Sequence, residues 1–375
     1  MGIPAAVTDC DRATLRQLLQ ERGEPGWRSE QILQGIFGRR ARGYEAMTDL
    51  PAELRSRLAG EIPLLGTRVT RRSDSDDGTV KLLIGLADGE TVECVMIPEG
   101  KRRTACLSTQ VGCPVGCVFC ASGLAGVRRN LTAGEIVDQA LHLTDLLPAG
   151  DRLTHVVVMG MGEPFLNYDR LLAALETLHA KWGLGIGAHR ITVSTVGLVD
   201  KIEAFAEHPL ATNLAVSLHA PDEALRAELI PHVAKTTIDA LVGAAVAYRE
   251  RTRKDVTFEY VLIAGKNDQL AHAGALAGHV RGTGIKVNLI PLNRISFAPL
   301  TAPANSQVTA FLAVLEREGV PCTIRRRRGS DVDAACGQLR LESAQHESAV
   351  QPELRGPLEN HLRGEPGEEG AGGAE

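Results

Sequence analysis

Three cysteines lie within eight residues of the chain, at Cys113, Cys117 and Cys120. Thiolates with this C-x3-C-x2-C spacing can wrap one corner of a cubic iron–sulfur cluster, whose irons prefer cysteine sulfur. Three protein ligands leave one iron open for a substrate. Two other interpretations stay open: a structural zinc site completed by a distant histidine or cysteine, and three unrelated buried cysteines. The spacing differs from the paired C-x2-C of zinc ribbons and no second cysteine pair accompanies it, so the cluster is favoured.

A second group of polar residues follows apolar runs further along the chain. One such run ends in Gly160-Met161-Gly162-Glu163-Pro164. Its glycines permit close approach of the backbone to a ligand, and Glu163 can accept a hydrogen bond from an ammonium group. Alternatively, the segment is only a strand-to-helix turn. A single serine or histidine at a strand end is more often structural, but several at successive strand ends would face one mouth. The candidate ligand-binding residues are Gly162, Glu163, Ser194, Ser217, Leu218, His219 and Asn293.

Alternating strands and helices from about residue 104 to 326 must position these groups. About six β-α units in series indicate a parallel sheet, because each crossover needs a helix to return the chain. A closed eight-unit barrel needs more units than the sequence supplies. We therefore predict an α/β fold with an open, partial (β/α)6 barrel, whose chemistry gathers at the carboxyl ends of its strands. Strands are predicted at Ala105–Ser108, His155–Met159, Ile191–Ser194, Asn213–Leu218, Thr257–Ile263 and Lys286–Ile290, with a further one near Cys322–Arg325, and helices at Ala133–Leu147, Arg170–Trp182, Ile238–Arg251, Gln269–Val280 and Val308–Glu318.

Three further regions complete the predicted organisation. Apolar residues at helical spacing between residues 11 and 62 predict a small N-terminal helical module. Between about 67 and 97 the period becomes strand-like around two glycine-containing breaks, which predict β-hairpins. From about residue 342 the chain is rich in Glu, Gly and Pro, which predicts a disordered tail. The predicted boundaries are 1–66 for the module, 67–103 for a hairpin linker region, 104–340 for the barrel with its C-terminal cysteine segment, and 341–375 for the tail.

Charge and cysteine usage narrow the class of protein. The formal net charge of −5 comes from the tail: residues 342–375 hold eight glutamates and two arginines and carry −6, which leaves +1 for the rest. A near-neutral body can still carry local basic patches. The sequence has neither an apolar run long enough to span a membrane nor a signal peptide, so we expect a cytoplasmic protein. In that reducing compartment its eight cysteines are more often ligands or nucleophiles than disulfides.

The cysteine motif follows the first predicted barrel strand and precedes a helix whose Thr132 and Glu135 have capping-box spacing. In this position the sequence resembles the radical S-adenosylmethionine (SAM) superfamily. The resemblance implies a 4Fe–4S cluster on the three cysteines, with an open iron that binds the amino acid end of SAM. Reductive cleavage of SAM then gives a 5′-deoxyadenosyl radical. The residues at the strand ends, from Gly162 to Asn293, would bind SAM.

Two more cysteines indicate which family within this superfamily the sequence resembles. Cys106 lies on the first barrel strand, and Cys336 lies in the segment Ala-Ala-Cys-Gly-Gln-Leu after an arginine run. Without that setting Cys336 would be an ordinary small buried residue. Together these motifs resemble the RlmN/Cfr family of radical SAM RNA methyltransferases over essentially the whole chain. The resemblance implies that Cys336 carries a methyl group destined for an adenine carbon and that Cys106 releases the product through a transient disulfide with Cys336. By position, Glu93, otherwise an ordinary strand carboxylate, would accept the ring proton.

The same resemblance implies substrates and partners. RlmN-type members methylate C2 of adenine in 23S rRNA, at the peptidyl-transferase centre, and in tRNA, just 3′ of the anticodon. Cfr-type members modify C8 of the same rRNA base, and no single residue separates the two. We expect an RlmN-type enzyme that is a monomer, takes electrons from a flavodoxin-like donor, and uses its N-terminal module to bind RNA. A competing interpretation from another class is a non-catalytic zinc or iron–sulfur RNA-binding protein.

Three short basic runs are candidate phosphate contacts, at Lys101–Arg103, Arg128–Arg129 and Arg325–Arg328. A charge run is more often a solvated face, but these runs are predicted beside the active-site mouth. Contacts to phosphate position a nucleic acid without reading its sequence. Among the remaining cysteines, Cys94 and Cys322 lie in strand-like runs and are predicted to pack, and Cys10 has no assigned chemistry.

Overall fold

Ten strands form one sheet in the computed structural model, which describes residues 4–233 and 236–339. The predicted tail, 341–375, lies outside these residues. A two-stranded sheet of β5 (Gln110–Gly112) and β6 (Val127–Asn130) stands apart from the large one. The strands of the large sheet are β1 (Arg68–Asp74), β2 (Val80–Gly85), β3 (Thr91–Glu99), β4 (Arg102–Cys106), β7 (His155–Val158), β8 (Ile191–Thr195), β9 (Asn213–Ser217), β10 (Val256–Leu262), β11 (Lys286–Pro291) and β12 (Cys322–Ile324).

The strand order confirms an open, partial barrel. The seven strands from β4 through β7 to β12 run parallel, and six helical crossovers connect them. In the described part of the chain the sheet ends at β1 on one side and at β12 on the other. The loops after the parallel strands therefore share one edge of the sheet, where chemistry is expected in such folds.

Helices cover the parallel strands and form the N-terminal module. Sequence reasoning missed two of these helices, Val199–Glu207 and Glu223–Leu229, because nine and seven residues give too few turns for a clear apolar stripe. No helix in residues 4–233 or 236–339 is long and apolar enough to cross a bilayer. The helices are α1 (Arg12–Glu21), α2 (Arg28–Leu33), α3 (Ala52–Glu61), α4 (Ala133–Asp145), α5 (Tyr168–His179), α6 (Val199–Glu207), α7 (Glu223–Leu229), α8 (Ile238–Thr252), α9 (Leu270–Val280) and α10 (Asn305–Arg317).

The N-terminal module is helical, as predicted, and is fixed to the first barrel helix. Asp11 caps α1 by accepting from the Thr14 backbone N–H at 2.6 Å. Asp9 Oδ1 accepts from the Gly134 N–H at 2.9 Å, at the start of α4. Further along the same helix, the buried Asp138 accepts from the Gly66 N–H at 2.9 Å. These contacts set the module against the barrel.

The antiparallel strands β1 to β3 extend the barrel sheet. Gly78 and Gly89 have φ angles of +82° and +88°, and they form the two predicted hairpin turns. Strand β3 pairs with β4 in a register that sets Val95 opposite Cys106. The 67–103 region is therefore continuous with the barrel sheet, and its side chains reach the barrel interior.

The small β5–β6 sheet brackets the cysteine loop and was not predicted. Its strands have three and four residues, too few for an alternating pattern to be recognised. Val111 pairs with Arg129, so the chain enters and leaves the loop at one place. This closure gives the cysteine loop a fixed base.

Candidate active site

The cysteine loop lies between β5 and β6, beyond the carboxyl end of β4. The Cys113 N–H donates to the Gly126 carbonyl at 2.9 Å, and the Cys120 N–H donates to the Cys117 carbonyl at 3.1 Å. All three thiols are free and partly buried. Burial raises the pKa of each thiol, and the Cys120 sulfur further raises the pKa of Cys113 and of Cys117. The three thiols therefore lie within electrostatic reach of one another.

This set of donors fits a 4Fe–4S cluster. Neighbouring thiols in an apolar setting do not ionise readily by themselves, whereas binding to iron makes them thiolates. Apolar side chains pack around the loop and limit access of water. In the described chain, no group of three or more His, Cys, Asp or Glu residues is close enough to hold a single metal ion. The apolar surround includes Val115, Phe119, Val196, Ile230 and Ile263.

Gly162 and Glu163 lie beside this loop, after β7. Gly162 has a φ of +101°, and a Cβ at this position would lie 2.7 Å from Gln110 Cβ, so only glycine fits. The Glu163 carboxylate accepts from the Phe165 and Val196 N–H groups at 3.1 and 2.8 Å. Burial raises its pKa to about 7. Each oxygen accepts one of these bonds and keeps lone-pair capacity for an ammonium group. The segment is thus a strand-to-helix turn and also carries an available acceptor.

His219 follows β9 and faces the cysteine loop. Its φ is +60°, and its ring meets Phe119 edge-on at 4.9 Å between centroids. Its Nδ1 accepts from the Val261 N–H at 3.0 Å, and burial lowers its pKa to about 3. The ring is therefore neutral and carries its proton on Nε2, where it is a hydrogen-bond donor. The neighbouring Leu218 is buried, and its N–H donates to the Glu259 carbonyl at 3.1 Å.

The other predicted ligand-binding residues also lie at the carboxyl ends of strands. Ser194 lies near the end of β8 and Ser217 ends β9, and both are partly buried. Asn293 follows β11, and its Nδ2 donates to the Cys336 carbonyl at 2.9 Å. Its Oδ1 is buried and meets no donor among the described residues. A buried acceptor without a partner is costly, and a bound ligand with a polar group would satisfy it.

Glu93 and Cys106 are brought together by strand register. Val95 on β3 lies opposite Cys106 on β4, so both side chains point to one face of the sheet. Glu93 is two residues before Val95 and therefore shares that face. Glu93 is fully buried. The sheet thus places a carboxylate and a thiol on one face of two neighbouring strands, and of the two only Cys106 lines the cavity in the barrel interior.

A cavity of about 890 Å³ in the barrel interior joins Cys106 to Cys336 and Cys120. Burial, and then the nearby Cys336 sulfur, raise the pKa of Cys106 to about 12. After burial, the Cys336 sulfur also contributes to the raised pKa of Cys120. Cys336 therefore lies within electrostatic reach of both the barrel-strand cysteine and the cysteine loop.

The segment that carries Cys336 is fixed on both sides. On the downstream side, the Ala121 N–H donates to the Gly337 carbonyl at 2.8 Å and Ser122 Oγ donates to the Leu339 carbonyl at 2.7 Å. Both donors belong to the end of the cysteine loop. The upstream side is held by the turn between β1 and β2. There Ser75 Oγ donates to Asp331 Oδ1 at 2.6 Å, the Asp76 N–H donates to Asp331 Oδ2 at 3.2 Å, and the Gly329 N–H donates to Asp77 Oδ2 at 3.1 Å.

Known protein families match both the barrel and the N-terminal module of this chain. A family model described as "Radical SAM superfamily" matches residues 107–273, and one described as "Ribosomal RNA large subunit methyltransferase N-terminal domain" matches residues 6–63. A "Probable dual-specificity RNA methyltransferase RlmN" from Rhodopirellula baltica is 47% identical over 326 residues, which are 87% of this chain and 88% of that protein. The chain belongs to the RlmN family.

Other relatives agree with this assignment. The RlmN relative from Chloroflexus aurantiacus is 46% identical over 345 residues, covering 88% of this chain and 91% of that protein. The crystal structure of a radical SAM methyltransferase from Sphaerobacter thermophilus matches with a TM-score of 0.88 at 44% identity, over 90% of this chain and 99% of that one. The fold of this RlmN-family chain is therefore shared over most of its length.

The three basic runs of this RlmN-family chain differ in their surroundings. Arg128 Nη1 lies 2.6 Å from Glu90 Oε1, and Arg129 pairs with Asp88 at 2.5 Å and with Glu135 at 2.7 Å. These pairs tie the end of the cysteine loop to the turn between β2 and β3 and to α4. This run therefore has a structural role, and its contact with phosphate stays a prediction. Arg102 and the run 325–328 instead line the cavity.

Two charged residues of the site were missed. Lys81 lies on β2, and its Nζ is 2.8 Å from Glu93 Oε1. A single charge inside the apolar run Val80–Leu86 was the signal that could have revealed it. Arg325 was treated only as part of a basic run, yet its guanidinium lies 3.7 Å from the Met159 sulfur. The Cys336 sulfur is the largest cause of its raised pKa.

Proposed function

We propose that this RlmN-family protein methylates C2 of adenine in 23S rRNA and in tRNA, through a methyl group carried by Cys336. The proposal depends on one observation: Cys336 lines the same cavity as Cys106 and as Cys120 of the cysteine loop. An RNA substrate is supported by the names of the relatives, which are dual-specificity RNA methyltransferases. The enzyme works as a cytoplasmic monomer with a flavodoxin-like electron donor.

The chain offers places for both cofactors. SAM and a 4Fe–4S cluster held by Cys113, Cys117 and Cys120 supply the methyl group and the radical that activates it. Glu163 has the acceptor capacity for an ammonium group, and Asn293 Oδ1 needs a donor. The predicted residues Gly162, Ser194, Ser217, Leu218 and His219 complete the proposed SAM site at the carboxyl ends of the strands.

The protein residues divide the remaining chemistry. C2 of adenine lies between two ring nitrogens and is electron-poor, so the carbon joins the base as a radical while still attached to the Cys336 sulfur. Glu93 then accepts the ring proton. The unpaired electron left by the radical addition would return to the bound cluster. The Cys106 thiolate then attacks the Cys336 sulfur and forms a disulfide, while the electron pair of the broken carbon–sulfur bond stays on the methylene carbon, which takes up a proton to become the methyl group. Arg325 favours that thiolate, because its charge lowers the pKa of Cys106 against the effect of burial.

Single cysteine variants test this scheme after anaerobic reconstitution with iron, sulfide and SAM. We expect Cys336→Ala to abolish methylated RNA and Cys106→Ala to accumulate a covalent protein–RNA adduct, detected by denaturing gel and mass spectrometry. Cys322→Ala is the matched control, because this thiol is outside the lining of the cavity. Normal turnover by Cys106→Ala would refute the two-cysteine scheme.

Nucleoside mass spectrometry identifies the position of the methyl group. Digested RNA from the reaction should contain 2-methyladenosine. An 8-methyladenosine product would instead assign the chain the Cfr-type activity. A zinc-loaded, colourless protein unable to cleave SAM would support a non-catalytic RNA-binding protein.

A further inference from the structure

Lys81 is a buried charge in an otherwise apolar strand. Its side chain is 8% exposed and that of its partner Glu93 is 0% exposed. The Nζ atom lies 2.8 Å from Glu93 Oε1 and donates to the Asp333 carbonyl at 3.2 Å. Burial of an ammonium is costly unless it is paired and hydrogen-bonded, and both partners are present here.

Strand register explains how the lysine reaches these partners. Lys81 on β2 lies opposite Val95 on β3, and Val95 lies opposite Cys106 on β4. The three side chains therefore form one row on one face of the sheet, and Glu93 is next to that row. The lysine stands beside the carboxylate proposed as base and in the same row as the thiol that releases the product.

The second partner of Lys81 belongs to the Cys336 segment, since Asp333 lies three residues before Cys336. This segment has other anchors to the same hairpin, through Asp331 and Gly329. The backbone contact to Lys81 is therefore one of several that hold the segment. The contact with Glu93 is instead made by the Lys81 ammonium to a side chain outside the segment, so the lysine has a role at the carboxylate that is separable from holding the segment.

We propose that Lys81 is a positioning residue, whose ammonium keeps the Glu93 carboxylate ionised and oriented and ties it to the segment that carries Cys336. The proposal rests on the proposed function. Without the ammonium, a carboxylate this deeply buried takes up a proton rather than keep its charge. A protonated Glu93 cannot accept the ring proton, so the reaction would stop after the base has become attached to Cys336.

Lys81→Met tests the role of the charge, because it keeps most of the side-chain volume. We expect Cys336 to be methylated as in the wild type, which peptide mass spectrometry measures without turnover on RNA. The covalent protein–RNA adduct should accumulate, and release of methylated RNA should fall by about 100-fold or more, the usual contribution of a general base. Lys81→Gln, which keeps a polar tip without the charge, should behave in the same way and serves if the methionine variant does not fold. Lys81→Arg should release methylated RNA without adduct.

Asp331→Ala is the matched control. It removes the Ser75 and Asp76 contacts and leaves the lysine–glutamate pair in place. We expect faster hydrogen exchange in residues 329–335 and slower methylation of Cys336, but no adduct. The proposal is wrong if Lys81→Met or Lys81→Gln turns over normally, or if either only slows Cys336 methylation as Asp331→Ala does. Failure of the proposed function is distinguishable, because wild-type Cys336 would then carry no methyl group and Cys106→Ala would trap no adduct.

Discussion

Gly162→Ala is expected to damage both the stability of the protein and its proposed SAM site. The residue has a φ of +101°, where a side chain is strained by about 1–3 kcal/mol. The new Cβ would also lie 2.7 Å from Gln110 Cβ and 2.9 Å from the Gln110 backbone nitrogen. Relief of such a contact moves backbone and costs about a further 1–3 kcal/mol. The expected loss in free energy of unfolding is therefore about 2–6 kcal/mol.

Gly185→Ala is the matched control for this prediction. Its φ is +64° and no atom lies within 4 Å of the place that an added Cβ would occupy, so only backbone strain of about 1–2 kcal/mol applies. Urea unfolding gives both differences. Because Gln110 Oε1 also accepts from the Glu163 N–H at 2.8 Å, Gly162→Ala should lower production of 5′-deoxyadenosine while Gly185→Ala should not. Equal destabilisation by the two substitutions would refute the steric argument.

Three other substitutions test the scaffold. Burial raises the pKa of Asp138 from 3.8 to about 7, so this carboxyl does not oppose folding below about pH 4, where it is protonated in both states, and destabilises the folded state increasingly as pH rises from about 4 to 7. In urea unfolding, Asp138→Asn should remove this pH dependence, which amounts to about 2–3 kcal/mol between about pH 5 and 8; parallel curves would contradict the assignment. Thr132→Ala removes the N-terminal cap of α4 and should lower the free energy of unfolding, measured by thermal unfolding, by about 1 kcal/mol. An unchanged stability would show that water replaces the cap. Arg226→Met removes the buried guanidinium that donates to the Val196 carbonyl at 2.6 Å and should lower the free energy of unfolding by about 1–3 kcal/mol. The control is Arg251→Met, because the exposed ion pair of Arg251 with Glu207 should contribute little. Equal effects of the two substitutions would contradict the role of burial.

Most of the barrel could be predicted from patterns among residues that are close together in the sequence. Apolar runs located the parallel strands within a few residues, and the predicted capping box of Thr132 and Glu135 is present, with bonds of 3.1 and 2.9 Å. These features depend on neighbours in sequence. The short strands β5 and β6 and the short helix α7 leave too few residues for a periodic signal. They form because the surrounding chain fixes their ends.

The ion pair of Lys81 and Glu93 depends on register, which no local pattern reveals. A slip of one residue between β2 and β3 would point Lys81 to the opposite face. The upstream anchors of the Cys336 segment join residues more than 250 positions apart, such as Ser75 and Asp331. Such contacts follow from the course of the whole chain. The residue types of the site could thus be read from the sequence, while the pairing that makes a carboxylate a candidate base could not.

The position of β3 beside β4 has a consequence for the chemistry. The small β5–β6 sheet holds the cysteine loop and the ends of the parallel strands supply the proposed SAM site, but β7 offers Cys106 no carboxylate, since its paired residue is Val157. The antiparallel extension supplies Glu93 and Lys81 on the other flank of Cys106. The turn of the same extension holds the segment of Cys336 through Asp331. A barrel without this extension would keep the proposed SAM-binding residues and lose both the proposed base and an anchor of the cysteine proposed to carry the methyl group. The extension is therefore the part of the fold that would adapt a radical SAM barrel to the proposed methyl transfer through two cysteines.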